Sequence, residues 1–473
     1  MQASLKMAKK NRIRRTTQMA ADTRLATLEE RLAAGRQLRD QFPRGCHAEW
    51  SPPANRPDPI SILKHSDHGR LPELLPIRYG RMKQSPFAFY RGSAAVMAWD
   101  LSLTPINGVR VQACGDCHAA NFGGFASPER RLLFDINDFD ETLPAPWEWD
   151  LKRLAASIVL GLREIGLDDN RCKDGVFNMS RFYREHMHRY AQMRELDVWY
   201  SRVDADEFIK EAKTKAAKKR WEKLEDEARK ETGDHVVPRI TEVKNGYTVI
   251  ADQPPLVYHP RQSDLIRKHV TEMFRRYRNT LPEERRILLD RYHMVDVARK
   301  VVGIGSVGTR CAAVLLMADK GDPLLLQFKE ALPSVLERYA GKSGSKSHGE
   351  RVVKGQRMLQ SASDVFLGWT RDDVGRNYYF RQLRDMKMKI DLSKMTRTDW
   401  FEYVGLCGWT LARAQARTGD AALIAGYLGK SDKFDAALVK FAVRYADQAA
   451  KDYEELLKAV RSGRVKARNR VPE

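Results

Sequence analysis

The stretch CGDCHAANFGGFASPERRLLFDINDFDETLPAPWEWD, residues 114–150, decides the reading of this chain. It gathers Asp116, His118, Asn121, Asp135, Asp138, Asp140 and Asp150. Two apolar segments, 109–113 and 132–134, lead into its acidic groups and have the pattern of buried strands. Polar groups at the ends of such strands face a common cleft. Carboxylates and a carboxamide oxygen converging there are hard ligands, suited to Mg²⁺ and a bound polyphosphate. Asp116 and Asn121 lie five residues apart, so one turn can aim both into a single site. There the aspartate can accept the proton of an attacking hydroxyl while the asparagine ligates metal. Asp138 and Asp140 supply further metal ligands, with Asp135 a competitor. The same stretch contains C-x-x-C-H, the attachment pattern of c-type haem. An aspartate between the cysteines, a second acidic cluster and the lack of an export signal favour the acid chemistry instead.

Working outward, residues 1–50 carry 11 Lys/Arg against 5 Asp/Glu, and Leu25, Leu28 and Leu32 fall at helical spacing. A proline-rich linker, 51–59, closes this basic arm. Beyond it, Arg78, Arg81 and Arg91 stand among core aromatics, where guanidinium groups serve either as internal ion pairs or as phosphate grips. Downstream of residue 150, 151–165 reads as a buried helix. Residues 170–235 read as charged helices laced with ion pairs. Asn245-Gly246 marks a hairpin, and 262–293 returns to helix.

Residues 297–329 change character: a strand, the loop GIGSVG with Gly303, Gly305 and Gly308, a second strand at 311–317, a Gly/Pro turn, and a third strand ending at Lys329. A dinucleotide-binding unit would place a helix directly after the glycines. A hairpin follows instead, the arrangement that covers ATP phosphates in kinases. Lys329 is then the phosphate-binding lysine. Glu350, at the start of a helix predicted over 348–361, is its expected ion-pair partner, with Glu330 and Glu337 as alternatives. Strands are predicted at 365–369 and 378–383; YYFRQLRDMKMK, 378–389, is a candidate adenine-contacting hinge. The last 80 residues read as helices.

The composition, 42% hydrophobic and 31% charged, is that of a chain with a substantial core. A formal charge of +21 suits an anionic partner, including nucleic acid. No apolar run is long enough for a membrane span. Six cysteines in 473 residues make no disulfide framework, and a cytoplasmic location is expected.

RMKQSPFAFYRGSAAVMAWDL, CGDCHAANFGGF, FDINDFDETLPAPWEWDLKRLAAS and YYFRQLRDMK together resemble the bacterial family catalogued as domain of unknown function 2252, over most of residues 55–460. That family is grouped with the kinase-like superfamily. The central stretch is also similar to the aminoglycoside and homoserine/choline kinases. The resemblance implies that Asp116 is the catalytic aspartate, Asn121 and Asp138 the metal ligands, and Asp150 a structural aspartate buttressing the loop. Cys114 stands where that loop has a histidine. In those kinases the glycine loop and lysine precede the catalytic loop, whereas here they follow it. Either the chain is circularly permuted, the favoured reading, or residues 55–110 form a reduced first lobe.

The expectation is therefore an α+β, protein kinase-like, circularly permuted fold with a helical insertion. Its parts are a basic arm at 1–55, the catalytic and metal-binding segment at 56–165, the insertion at 166–295, the nucleotide-binding lobe at 296–390, and a helical segment at 391–473. Its expected function is phosphotransfer from ATP with Mg²⁺ to a hydroxyl on a small molecule or protein. A nucleic-acid-binding protein with an inactive kinase-like fold, a metal-dependent phosphoesterase and nucleotidyl transfer remain as alternatives.

Overall fold

The computed structural model describes residues 26–468, apart from 206–208, 210–214, 232, 245, 261–262, 302, 384–385 and 389. The first 25 residues of the basic arm, with Leu25, and Asn245 of the expected turn therefore lie outside the described residues.

The architecture is mixed α and β. Short helices (Pro59–Ser66, Leu75–Met82, Pro86–Gly92, Ala94–Leu101) precede two small antiparallel ribbons. Strand β1 (Arg110–Ala113) pairs with β4 (Leu143–Pro146), and β2 (Phe122–Ala126) pairs with β3 (Leu132–Ile136). Helix Trp147–Glu164 begins directly after Pro146, earlier than its apolar run suggests, so Asp150 lies in its first turn. This helix is buried almost all round, which explains its run of Leu, Ala, Ile and Val.

A hairpin of β5 (Thr241–Lys244) and β6 (Tyr247–Ile250) forms around the Asn-Gly site. A six-stranded antiparallel sheet follows. It contains β7 (Val257–Tyr258), β8 (His293–Lys300), β9 (Cys311–Met317), β10 (Pro323–Glu330), β11 (Gly368–Arg371) and β12 (Asn377–Gln382), in the order β11-β12-β10-β9-β8-β7. Strand β11 begins three residues later than expected. Period-two alternation gives β10 two faces. Leu324, Leu326 and Phe328 pack beneath helices Ser263–Arg278 and Glu283–Leu289. Lys329 and Gln327 fall on the opposite face, where the register sets Lys329 against Tyr379 and Gln327 against Arg381 on β12.

The largest core joins residues 87–228 to residues 331–449. Helix Asp169–Ala191 packs in it against Arg397–Ala416 and Lys433–Arg461. The boundary expected at residue 166 thus cuts through one core: the first helix of the expected insertion is a pillar of the main body. No helix among the described residues is long and apolar enough to cross a membrane.

Candidate active site

The turn after β1 carries Asp116, and it is fixed from below. Asp150 accepts the backbone N–H groups of Cys114 at 2.6 Å and Gly115 at 2.9 Å, the buttress expected of it. Burial raises the Asp150 carboxyl to about 6 despite those two bonds. One helical turn further on, Arg153 donates from Nε to Asp116 Oδ1 at 2.7 Å and also pairs with it through Nη2. Asn121 donates its side-chain N–H to the Asp116 carbonyl at 2.8 Å, which fixes the amide beside the aspartate. His118 sits 4.0 Å from Asp116, and burial, then the charges of Arg91 and Arg153, hold its pKa well below the ordinary imidazole value. The Cys114 thiol is buried and donates to the Asp138 carbonyl at 3.3 Å, so the C-x-x-C-H pattern is spent on packing.

The second acidic group meets this turn in a cleft lined by Asp116, His118, Asn121, Asp138, Asp140, Glu141 and the glycine loop. Asp138 and Asp140 face one another. Burial and then the Asp140 charge push Asp138 upward, whereas Asp140 is held low against burial by Lys329, Tyr379 and Ser306. Tyr379 donates to Asp140 at 2.8 Å and Ser306 Oγ at 2.9 Å; Lys329 Nζ completes the set and also donates to Ser306 at 2.6 Å. Among the described residues the Asp138 side chain takes only the Asp140 N–H, at 3.2 Å. Asp138 with Asn121 is therefore the pair freest to hold a cation; Asp140 is committed to Lys329. These are hard oxygen donors, and two carboxylates whose charges oppose each other fit Mg²⁺.

Lys329 and Asp140 are 189 residues apart in sequence yet in direct contact, and Ser306 of the glycine loop bonds to both. Gly305 is pressed close: a Cβ there would lie 3.3 Å from the Arg91 carbonyl and 3.7 Å from Asp116 Oδ2. Gly308 has φ +94° and would meet Arg70 at 3.0 Å, so only glycine serves. Arg81 donates to the Gly303 carbonyl at 2.5 Å and Arg70 to that of Val307 at 2.7 Å, tying the loop to the N-terminal helices.

Two expectations need correction. Asp135 does not reach the cleft. It is fully buried on the other side of β3, where Arg413 donates to it at 2.6 Å and Ser361 donates through N and Oγ at 3.0 and 3.1 Å. A carboxylate so enclosed is structural. Glu350 does not pair with Lys329. It occupies the first turn of helix His348–Leu359, and its carboxylate turns back to the Lys346 N–H at 2.7 Å and to Lys354 at 2.8 Å. Neither alternative takes its place: Glu330 pairs with Arg310 at 3.1 Å, and Glu337 lies near His348 and Arg351. Lys329 is paired with Asp140 instead.

Sequence reasoning missed Arg153, Ser306, Tyr379 and Arg351. Arg351, one residue beyond Glu350, points inward and donates to the carbonyls of Asp140, Thr142 and Leu332 at 2.7–2.8 Å, clamping the acidic turn. Arg153 had a signal: a guanidinium at the head of the apolar run 154–162, in a helix buried almost all round, must find an anion. Of the segment 378–389, Met388 exchanges two backbone hydrogen bonds with Gly124 at 2.9 and 3.0 Å, joining the sheet to the β2–β3 ribbon. Residues 384, 385 and 389 lie outside the described residues.

A family model described as "uncharacterized protein conserved in bacteria (DUF2252)" matches residues 70–459, and the chain belongs to that family. No curated protein and no solved structure matches it.

Proposed function

We propose that this member of the DUF2252 family is a circularly permuted, kinase-like phosphotransferase that uses ATP and Mg²⁺. The observation that carries the reading is the meeting of Lys329, Ser306 of the glycine loop and Asp140 in the cleft that holds Asp116, Asn121 and Asp138. The sheet supports it as well: a glycine loop joins β8 to β9, the lysine ends β10, and a helix (His348–Leu359) follows before β11 and β12. That is the kinase succession, here encoded after the catalytic loop rather than before it.

In this site Asp116 receives the acceptor hydroxyl. Its carboxylate is held in place by Arg153, so its work is to orient the hydroxyl and hold its proton as the oxygen attacks. Asp138 and Asn121, with Asp140 once Lys329 releases it, would hold Mg²⁺, which supplies charge neutralisation on the phosphates. Lys329 and the loop N–H groups bind phosphate oxygens. In the observed arrangement Ser306 and Lys329 hold the loop down on Asp140, so nucleotide entry requires the loop to lift from the acid.

The test is transfer of the terminal phosphate of ATP, followed as ADP release and phosphoryl product against a panel of hydroxyl acceptors, for the wild type and Asp116→Asn. Turnover that depends on Mg²⁺ and falls by about two to four orders of magnitude in the variant fits the reading. ATP-independent hydrolysis of phosphate esters, indifferent to Lys329→Ala, would replace it with the phosphoesterase.

A further inference from the structure

The cleft has a basic wall that the chemistry above does not use. Arg70, Arg78 and Arg91 line it from the N-terminal helices, opposite the sheet. Two of the three are occupied. Arg78 donates to Asp67 at 2.9 Å and to the Gly92 carbonyl at 2.8 Å. Arg70 donates to Val307 and Ser66 and lies 3.7 Å from Asp67. Arg91 is different. Among the described residues it makes no ion pair, and its Nε is buried without a hydrogen-bond partner. The Phe87 ring is 6.0 Å away, at the edge of cation–π range.

Two acids of the cleft have cations of their own. Asp116 is matched by Arg153 and Asp140 by Lys329. Burial lowers the Arg91 pKa against the charges of Asp116 and then Glu164. It lies beside Asp116, His118 and Gly305 of the glycine loop. A group held there would be part of whatever presents its hydroxyl to Asp116. A partly desolvated guanidinium without a counter-ion is costly, and a planar fork of N–H donors matches the oxygens of phosphate or carboxylate.

We propose that the acceptor is itself anionic, carrying a phosphate or carboxylate that Arg91 binds beside Asp116. This rests on the phosphotransfer reading for the word acceptor, but the anion site stands on the free arginine alone.

The experiment uses the full chain saturated with the β,γ-imido analogue of ATP and Mg²⁺, titrated with inorganic phosphate and, separately, acetate. The wild type binds one or both, and the stronger of the two names the anion. Arg91→Gln weakens that binding by about tenfold or more and Arg91→Lys by less, while affinity for the nucleotide analogue changes by less than about twofold. Anion binding equal in wild type and Arg91→Gln, or absent from the wild type, overturns the proposal. So does nucleotide affinity that falls in step with anion affinity, which would assign Arg91 to the nucleotide. If the wild type fails to bind the nucleotide analogue yet still binds anion through Arg91, the phosphotransfer reading falls and the anion site remains. Arg91→Lys, which keeps the charge, guards against a glutamine variant that does not fold.

Discussion

Replacing Asp135 with alanine separates a structural acid from a metal-binding one. In the wild type its carboxylate and the Arg413 guanidinium are both fully buried, 2.6 Å apart, and Ser361 adds two more donors. Alanine leaves the Arg413 charge without its anion. Among the described residues, Arg413 Nη2 keeps only the Leu359 carbonyl, at 2.7 Å, and its Nε and Nη1 have no partner even in the wild type. Breaking one side of such a buried pair costs about 3–5 kcal/mol. Total stability of a domain is only about 5–15 kcal/mol. At roughly 2 °C per kcal/mol for a unit of this size, the melting temperature falls by about 6–10 °C. Asp138→Asn is the matched control. It removes a half-buried carboxylate opposed by Asp140, so the metal-free protein melts no lower than wild type, while Mg²⁺-dependent nucleotide binding is lost. Differential scanning calorimetry with and without Mg²⁺ reads both variants. An unchanged melting temperature in Asp135→Ala, coupled to loss of Mg²⁺ binding, would refute the assignment and make Asp135 the ligand.

Other outcomes follow from the same geometry. Glu350→Ala leaves affinity for ATP·Mg²⁺ within about twofold of wild type, since Lys329 pairs with Asp140; a loss of about tenfold in titration calorimetry would restore the lysine–glutamate pair. Glu141 is raised by burial to about 7 from its ordinary value of 4.5, so the folded state takes up a proton that the unfolded state does not. Its contribution to stability is fully present below the unfolded value and is lost as pH rises through about 7. Denaturant unfolding between those limits therefore shows stability falling with pH, and Glu141→Gln flattens that slope; an identical slope in the variant contradicts it. Arg153→Lys, which keeps the charge but not the fork on Asp116, lowers turnover by about tenfold or more with nucleotide affinity unchanged, and equal turnover would remove Arg153 from the positioning of Asp116.

The central cleft was legible because its residues obey local rules. Asp116 and Asn121 share one turn. Asp150 begins a helix whose apolar run is plain, and Lys329 falls on the cleft face of β10 by simple alternation. What the sequence hid depends on packing between distant segments. Asp135 and Asp138 look equivalent in FDINDFDE; only the arrival of Arg413, 278 residues later, turns one into a core ion pair. Glu350 and Arg351 are adjacent, yet about 100° apart around a helix, and the helix faces the acidic turn with Arg351. Helix Asp169–Ala191 reads as part of a charged insertion because its outer face is charged; its inner face is set by Arg397–Ala416, which no local pattern announces.

The account turns on whether two segments far apart in sequence make one nucleotide site, and titration calorimetry of ATP with Mg²⁺ tests that most directly. The wild type is predicted to bind, and Asp138→Ala and Lys329→Ala are each predicted to lose about tenfold or more in affinity. A wild type that does not bind ATP·Mg²⁺, or variants that bind it as the wild type does, would contradict the account.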